Sequence, residues 1–259
     1  MDKHKVMAIF LTVVILLTGC AQRGESDRLE TNLIQSETTD QANREDLADL
    51  APVELNLIQF EPPQPGDLIA VMETTMGTIH IRLFPQYAPL AVENFVGLAG
   101  QGFYNDSNFH RVINDFMIQG GASNPDGSGA TSIFRDENGT PQPFADEFTV
   151  ALWHFRGALS MANPGSRDSN MSQFFIMQDR HITPAQVDQM RSRQYPEAVI
   201  DRYIQTGGRP HLDWGHTVFG HVIEGMDVVD TIAGAATDSS NDRPLEDVLI
   251  RSLTFEYYE

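Results

Sequence analysis

Cysteine is almost absent from this sequence of 259 residues: Cys20 stands alone, so no disulfide can form within the chain. The fold therefore holds without one in whatever redox compartment it occupies. Basic residues are scarce as well, 17 Lys and Arg against 36 Asp and Glu, for a formal net charge of -19. Binding to nucleic acid rests on clustered cations that neutralise phosphates, and the chain has no such cluster. Long apolar runs are lacking apart from Val6 to Leu17, and that run falls short of the roughly 20 residues a spanning helix needs. No internal repeat is present. What is there is 41% hydrophobic and 20% charged, enough apolar matter for a buried core, which excludes wholesale disorder. A soluble, acidic, globular protein remains.

The start of the chain reads as a signal peptide over residues 1–19. Lys3 and Lys5 precede the apolar run, and small residues follow it at once in Leu17-Thr18-Gly19-Cys20. That last quartet resembles the lipobox of bacterial lipoproteins, which implies cleavage before Cys20 and lipid, palmitate included, on its sulfur and new amino terminus. The expected location is extracytoplasmic, with the chain fixed to the membrane by acyl chains, because an anionic bilayer surface repels so acidic a protein. Residues 20–66 read as a lipidated cysteine and a flexible acidic tether. Positions 21–66 hold ten acidic residues, three arginines and one aromatic, and end in Glu61-Pro62-Pro63-Gln64-Pro65-Gly66. Such a composition does not offset the entropy of ordering, and as a coil it spans on the order of 35–40 Å. Leu55, Leu57, Ile58 and Phe60 offer the alternative of docking on the domain.

From Asp67 the texture changes. Leu68 to Glu73 and Thr78 to Phe84 read as a hairpin, with Ile79, Ile81 and Leu83 alternating against Thr78, His80 and Arg82. A helix follows, opened by Pro89, carrying Val92, Phe95, Val96 and Ala99 on one face, and ended by Gly100 and Gly102. Phe174 to Met177, Thr217 to Ile223 and Asp247 to Phe255 are further β-rich runs among Gly, Pro and Asn loops. The acidic stretch from Asp136-Glu137 to Asp146-Glu147 reads as a solvated loop. A mainly β domain over 67–259 is expected, and closure of its antiparallel sheet would remove the edges.

One segment runs Phe109-His110-Arg111-Val112-Ile113-Asn114-Asp115-Phe116-Met117-Ile118-Gln119-Gly120-Gly121. It resembles the signature of the cyclophilins, the peptidyl-prolyl cis/trans isomerases. Four further blocks fall in that family's order: Thr78 to Phe84 with Ala88-Pro89 and Asn94-Phe95; Gly157 to Asn163; Ser172 to Ile176; and Leu212-Asp213 through His216 to Gly220. The resemblance implies a closed eight-stranded antiparallel barrel capped by two helices, with a binding groove on its outer face. It also implies Arg111 as the main catalytic residue and Phe116, Met117, Phe175, Leu212 and His216 as the lining of a proline pocket. Gln119 and Asn163 then hold the peptide backbone, while His110, Gln173 and Ala162 match other positions of the groove.

These residue types suit the reaction on chemical grounds. Rotation about an X-Pro bond is slow because its C–N bond has double-bond character, a barrier of about 18–20 kcal/mol. No nucleophile, metal or cofactor is required, only a site that prefers the twisted amide, whose nitrogen regains a lone pair. A fixed guanidinium such as that of Arg111 can donate to that lone pair, which the planar amide lacks. Taken singly, Phe116, Met117 and Phe175 read as core and Arg111 as half of a surface ion pair; their joint spacing reverses this. His110 and His216 have no companions at metal-ligand spacing, so no metal is expected. Ser160 with either of these histidines lacks the Gly-x-Ser-x-Gly elbow of a hydrolase. The partners expected are proline-containing unfolded or exported polypeptides. The alternative from another class is a membrane-tethered proline-peptide binder or holdase chaperone with little turnover.

Three departures mark this chain. His211 stands where many eukaryotic cyclophilins have tryptophan, and Trp214 where glycine usually follows the aspartate, so pocket shape and affinity for cyclosporin-type drugs are expected to differ. The third is a helical insertion at about 177–210, where the family usually has a short loop. Thr183-Pro184 suits a helix start, and Val199, Ile200, Tyr203 and Ile204 share a face before Gly207-Gly208. Its place before Leu212 suggests a rim or lid.

Overall fold

The first hairpin forms where the sequence alternates most clearly. β1 (Leu68–Thr74) and β2 (Gly77–Leu83) pair antiparallel from Ile69↔Arg82 to Thr74↔Gly77, leaving Thr75 and Met76 as the loop. The computed structural model describes residues 57–259. The expected signal segment 1–19, Cys20 and the tether up to residue 56 lie outside the described residues. Within them the last part of the expected spacer takes the docking alternative. Ile58–Phe60 form a 3-10 turn, and Gln59 is buried with its amide bonded to both backbone groups of Trp153, accepting from N–H at 2.8 Å and donating to C=O at 2.9 Å. Phe60 packs edge-on against Phe155 and His221.

α1 (Pro89–Gly100) begins at Pro89, whose missing N–H is no loss at the first helical position. Ala88 offers no capping side chain, and the cap comes from far along the chain: the Glu147 carboxylate accepts from Leu90 N–H at 3.0 Å and Ala91 N–H at 2.9 Å. The solvated-loop reading of this acidic stretch is thus corrected for Asp146 and Glu147. The Asp146 side chain is 1% exposed, paired with Arg167 and accepting from Asn170, because buried donors nearby need an acceptor.

The remaining strands are β3 (Ser107–Asn108), β4 (Arg111–Ile113), β5 (Met117–Gly120), β6 (Ala158–Met161), β7 (Phe174–Met177), β8 (Val218–Glu224) and β9 (Leu249–Tyr257). They form one antiparallel sheet in the order β3-β9-β1-β2-β8-β6-β7-β5-β4. The expectation of a closed eight-stranded barrel with two helices is corrected to nine strands in an open half-barrel with four helices among the described residues. The reason lies at residues 107–113. β3 and β4, the two ends of the order, are separated only by Phe109-His110. Single bonds there, Phe109 N–H to Val248 O and Val112 N–H to Asp242 O, stand where a closing ladder would run.

The helical insertion is present as α2 (Pro184–Ser192) and α3 (Glu197–Thr206). Thr183 and Gln186 cap α2 reciprocally, side chain to backbone in both directions. α3 buries Val199, Ile200 and Tyr203, three of the four apolar positions read from its sequence, while Ile204 is exposed. α4 (Met226–Ala233), which no residue pattern singled out, buries Val229 and Ile232 beside the sheet.

Alternation sends each strand's side chains into two apolar groups. Ile118, Leu159, Met161, Phe174 and Ile176 join the main core around Phe95, whose ring meets Tyr104, Phe174 and Phe219 at centroid distances of 5.1–5.4 Å. Their neighbours Met117, Ala158, Phe175 and Met177 turn to the other face and form a second cluster with Phe84, Leu152 and Val218. That second cluster is the floor of the site.

Candidate active site

Three adjacent strands set the site's geometry. In the register, Arg111 on β4 stands opposite Gln119 on β5, and Gln119 opposite Phe175 on β7, so the three lie in one row on one face of the sheet. Met117 shares that face two residues before Gln119. The β4–β5 loop is closed by Asp115 at φ +55°, a left-handed conformation that Asp tolerates, and Phe116 follows it directly. Gly121, at φ +82°, ends the row: a Cβ there would sit 2.4 Å from Ser172 O, so no side chain fits.

Across the row a cavity of about 130 Å³ is walled by Arg111, Phe116, Met117, Gln119, Ala162, Asn163, Phe175, Leu212 and His216. All nine were singled out in the sequence. Met117 and Phe175 are buried, the other apolar walls are half-buried, and the cavity suits one small ring rather than a large ligand. Arg111 has a side chain 42% exposed, and its ion pair among the described residues is a long one, Nε to Asp242 at 3.5 Å. The Asn163 amide donates to Gly215 O at 3.1 Å, tying the β6 end to the loop that carries Leu212 and His216.

His110 and Gln173 are placed beside the cavity and not in its wall. Gln173 accepts from the Gln119 amide at 3.0 Å and donates to Gly127 O and Gly129 O, so it aims Gln119 and fixes the 123–129 loop. His110 is buried beneath Gly127, and burial together with the Arg111 charge lowers its pKa. His216 is held neutral: burial, reinforced by neighbouring His154, brings its pKa down to about 4. Its Nδ1 faces the Met161 carbonyl at 3.1 Å and therefore carries the proton.

His211 is exposed and outside the cavity wall, its pKa lowered by partial burial and by Arg209. Trp214 has φ +64°, which explains why glycine suits its position, and its ring packs against Phe148 and Trp153. Cys20 lies outside the described residues. Among the described residues no group of three or more His, Cys, Asp or Glu side chains is arranged to hold a metal.

Sequence reading missed one constellation. His154 Nδ1 is 2.8 Å from Asp213 and its Nε2 3.0 Å from Ser160 Oγ, all three side chains being buried and the His154 ring stacked beside Phe175. The serine was weighed in the sequence with the wrong histidines, and no local motif surrounds His154.

Comparisons with known proteins show what the chain as a whole is similar to. The family model described as cyclophilin type peptidyl-prolyl cis-trans isomerase/CLD matches residues 69–255. A Staphylococcus saprophyticus protein that carries a peptidyl-prolyl cis-trans isomerase name is 43% identical over 188 residues, covering 73% of this chain and 91% of its own. A similarly named Staphylococcus aureus protein is 42% identical over 193 residues, 74% of this chain and 94% of its own. Among solved structures, a Cryptosporidium parvum cyclophilin type peptidyl-prolyl cis-trans isomerase superposes with a TM-score of 0.58 at 26% identity, covering 75% of this chain and 99% of that one. The same protein solved in the presence of the dipeptide Ala-Pro gives 0.57, again at 26% identity, covering 73% and 99%.

Proposed function

This chain belongs to the cyclophilin-type peptidyl-prolyl cis-trans isomerases, and from that premise we propose that it turns X-Pro bonds of exported polypeptides outside the cytoplasm, with Arg111 as catalytic residue. The observation that carries the reading is the cavity in which Arg111 meets Phe116, Met117, Phe175, Leu212 and His216. The apolar wall takes the pyrrolidine ring and removes water from the amide, which favours the less polar twisted form. Gln119 and Asn163 hold the flanking backbone. Arg111 donates to the prolyl nitrogen only once that nitrogen has become pyramidal, so its bond is made in the transition state and absent from the ground state. A gain of about 7 kcal/mol in this way corresponds to roughly 10⁵-fold in rate. His216 stays neutral in the working pH range, so no second cation competes with Arg111 in the pocket. The Ala-Pro dipeptide present with the Cryptosporidium relative supports proline-containing peptides as substrates here too.

The extracytoplasmic part of the reading rests on Lys3, Lys5, the apolar run to Leu17 and Leu17-Thr18-Gly19-Cys20. Cys20 is the lipid-bearing residue, and the acidic segment after it spaces the domain from the membrane.

Refolding of a proline-limited test protein checks the activity against the holdase alternative. The isomerase reading expects the full chain to speed the slow phase at substoichiometric amounts; a stoichiometric slowing would overturn it in favour of the binder. Detergent-phase partitioning checks the anchor. Mature wild type should enter the detergent phase and Cys20→Ser should not, and a wild type that stays in the aqueous phase contradicts the lipoprotein reading.

A further inference from the structure

We infer that the insertion at 177–210 acts as a brace that fixes the walls of the proline pocket, with Tyr203, Asp213 and His154 as positioning residues. The inference rests on the pocket assignment above.

Asp213 directly follows Leu212 of the pocket wall, and its carboxylate is 3% exposed. His154 supplies two hydrogen bonds to one oxygen, from its backbone N–H at 2.9 Å and from Nδ1 at 2.8 Å. The insertion serves the other oxygen: the Tyr203 phenol donates at 2.8 Å, and the Tyr195 phenol, 3.2 Å away, shares its one proton with Pro210 O at 3.0 Å. Burial and the charge of Asp213 raise the pKa of both tyrosines, so the phenols remain donors.

The chain of bonds continues inward. Ser160 Oγ lies 3.0 Å from the Thr217 carbonyl, which also accepts from Met161 N–H, and 3.0 Å from His154 Nε2. The Asp213 carboxylate can only accept, so the His154 Nδ1 facing it carries a proton. Ser160 has no exposed surface for a substrate to reach. The Ser-His-Asp set is therefore not a hydrolytic triad. What it does hold is the pocket floor: the His154 ring lies 6.0 Å from that of Phe175 at an interplanar angle of 18°. Phe175 in turn stands edge-on to His216 at 5.5 Å.

The other wall is gripped from the insertion's two ends. The carbonyl of Phe116 accepts from the N–H groups of Gln178 and Asp179. Arg209 donates to Asp115 O at 2.7 Å, and its guanidinium sits 5.3 Å from the Phe116 ring centre. Where α3 ends, Gly208 at φ +126° lies so close that a Cβ would be 2.3 Å from His154 O. The insertion is thus clamped to the strand face beneath the site, a placement that suits a brace and not a lid.

The test compares Tyr203→Phe, Asp213→Asn, the double variant and Phe175→Ala in the full chain, with kcat and KM measured separately on an Ala-Pro peptide below the unfolding range. ¹⁵N resonances of the His154 ring are read alongside. The brace expects Asp213→Asn to lower kcat/KM about tenfold and Tyr203→Phe several-fold, with the double variant no worse than Asp213→Asn alone because both act through one chain of bonds. The proton on His154 Nδ1 should be held there in the wild type, and that preference should weaken in Asp213→Asn. If folded Tyr203→Phe and Asp213→Asn turn over like the parent while Phe175→Ala is impaired, the brace is overturned and the pocket stands. If Phe175→Ala also turns over like the parent, the pocket assignment falls and the brace with it. Should Asp213→Asn fail to fold, Tyr203→Phe, which removes one hydroxyl, decides alone.

Discussion

At the scale of single residues, much of the pocket wall was legible because one short segment, the one that resembles the family signature, carries Arg111, Phe116, Met117 and Gln119, and their spacing is a property of the chain. Gln59 was not legible. Its value comes from Trp153, 94 positions away, whose N–H and C=O it satisfies in a buried setting. His154 and Asp213 escaped for the same reason, since a pair 59 positions apart is made by the fold. Gln59→Ala leaves two buried backbone groups unpaired, and the expected cost is about 2–3 kcal/mol. Urea unfolding at neutral pH should show this as a lowered midpoint with unchanged slope; a loss below about 0.5 kcal/mol would mean that water reaches Trp153.

At the scale of elements, local pattern located the hairpin, α1, β7 and both insertion helices, all of which carry their own periodicity or caps. The closing of the sheet was misread because it depends on whether β3 and β4, the two ends of the order, share a ladder, and each pairs instead with another strand, β3 with β9 and β4 with β5. The acidic loop was misread because charge alone suggests solvent, while the vacant N-terminus of α1 needs an acceptor. The account expects Glu147→Ala to destabilise by about 1–2 kcal/mol, as loss of a helix cap does, although Glu147 lies outside the helix it caps. Thermal melting checks it, and Glu147→Gln, which keeps an acceptor oxygen, should lose less. Equal losses in the two variants would point to the charge and not the hydrogen bonds.

At the scale of the whole molecule, removal of self-repulsion by acid favours the folded state of an acidic chain, but buried His221 and half-buried His216 work against this. Burial brings His221 down to about 3 and His216 to about 4, against about 6.5 when unfolded. Between about pH 6.5 and 4 the unfolded chain binds more protons. Stability is therefore complete above 6.5 and falls with pH by up to about 1.4 kcal/mol per pH unit for each group. His221→Gln should narrow the difference in unfolding free energy between pH 7 and 5 by about 2 kcal/mol, and an unchanged difference would assign the acid sensitivity elsewhere. In the proposed function the sheet, the second apolar cluster and the insertion present one guanidinium to one ring, so the proposal stands on Arg111. The most direct measurement is kcat/KM of Arg111→Ala against the parent on an Ala-Pro peptide, with folding verified by melting. The account predicts a fall of about 10²–10³-fold with the melting temperature preserved; a folded variant that turns over like the parent would contradict it.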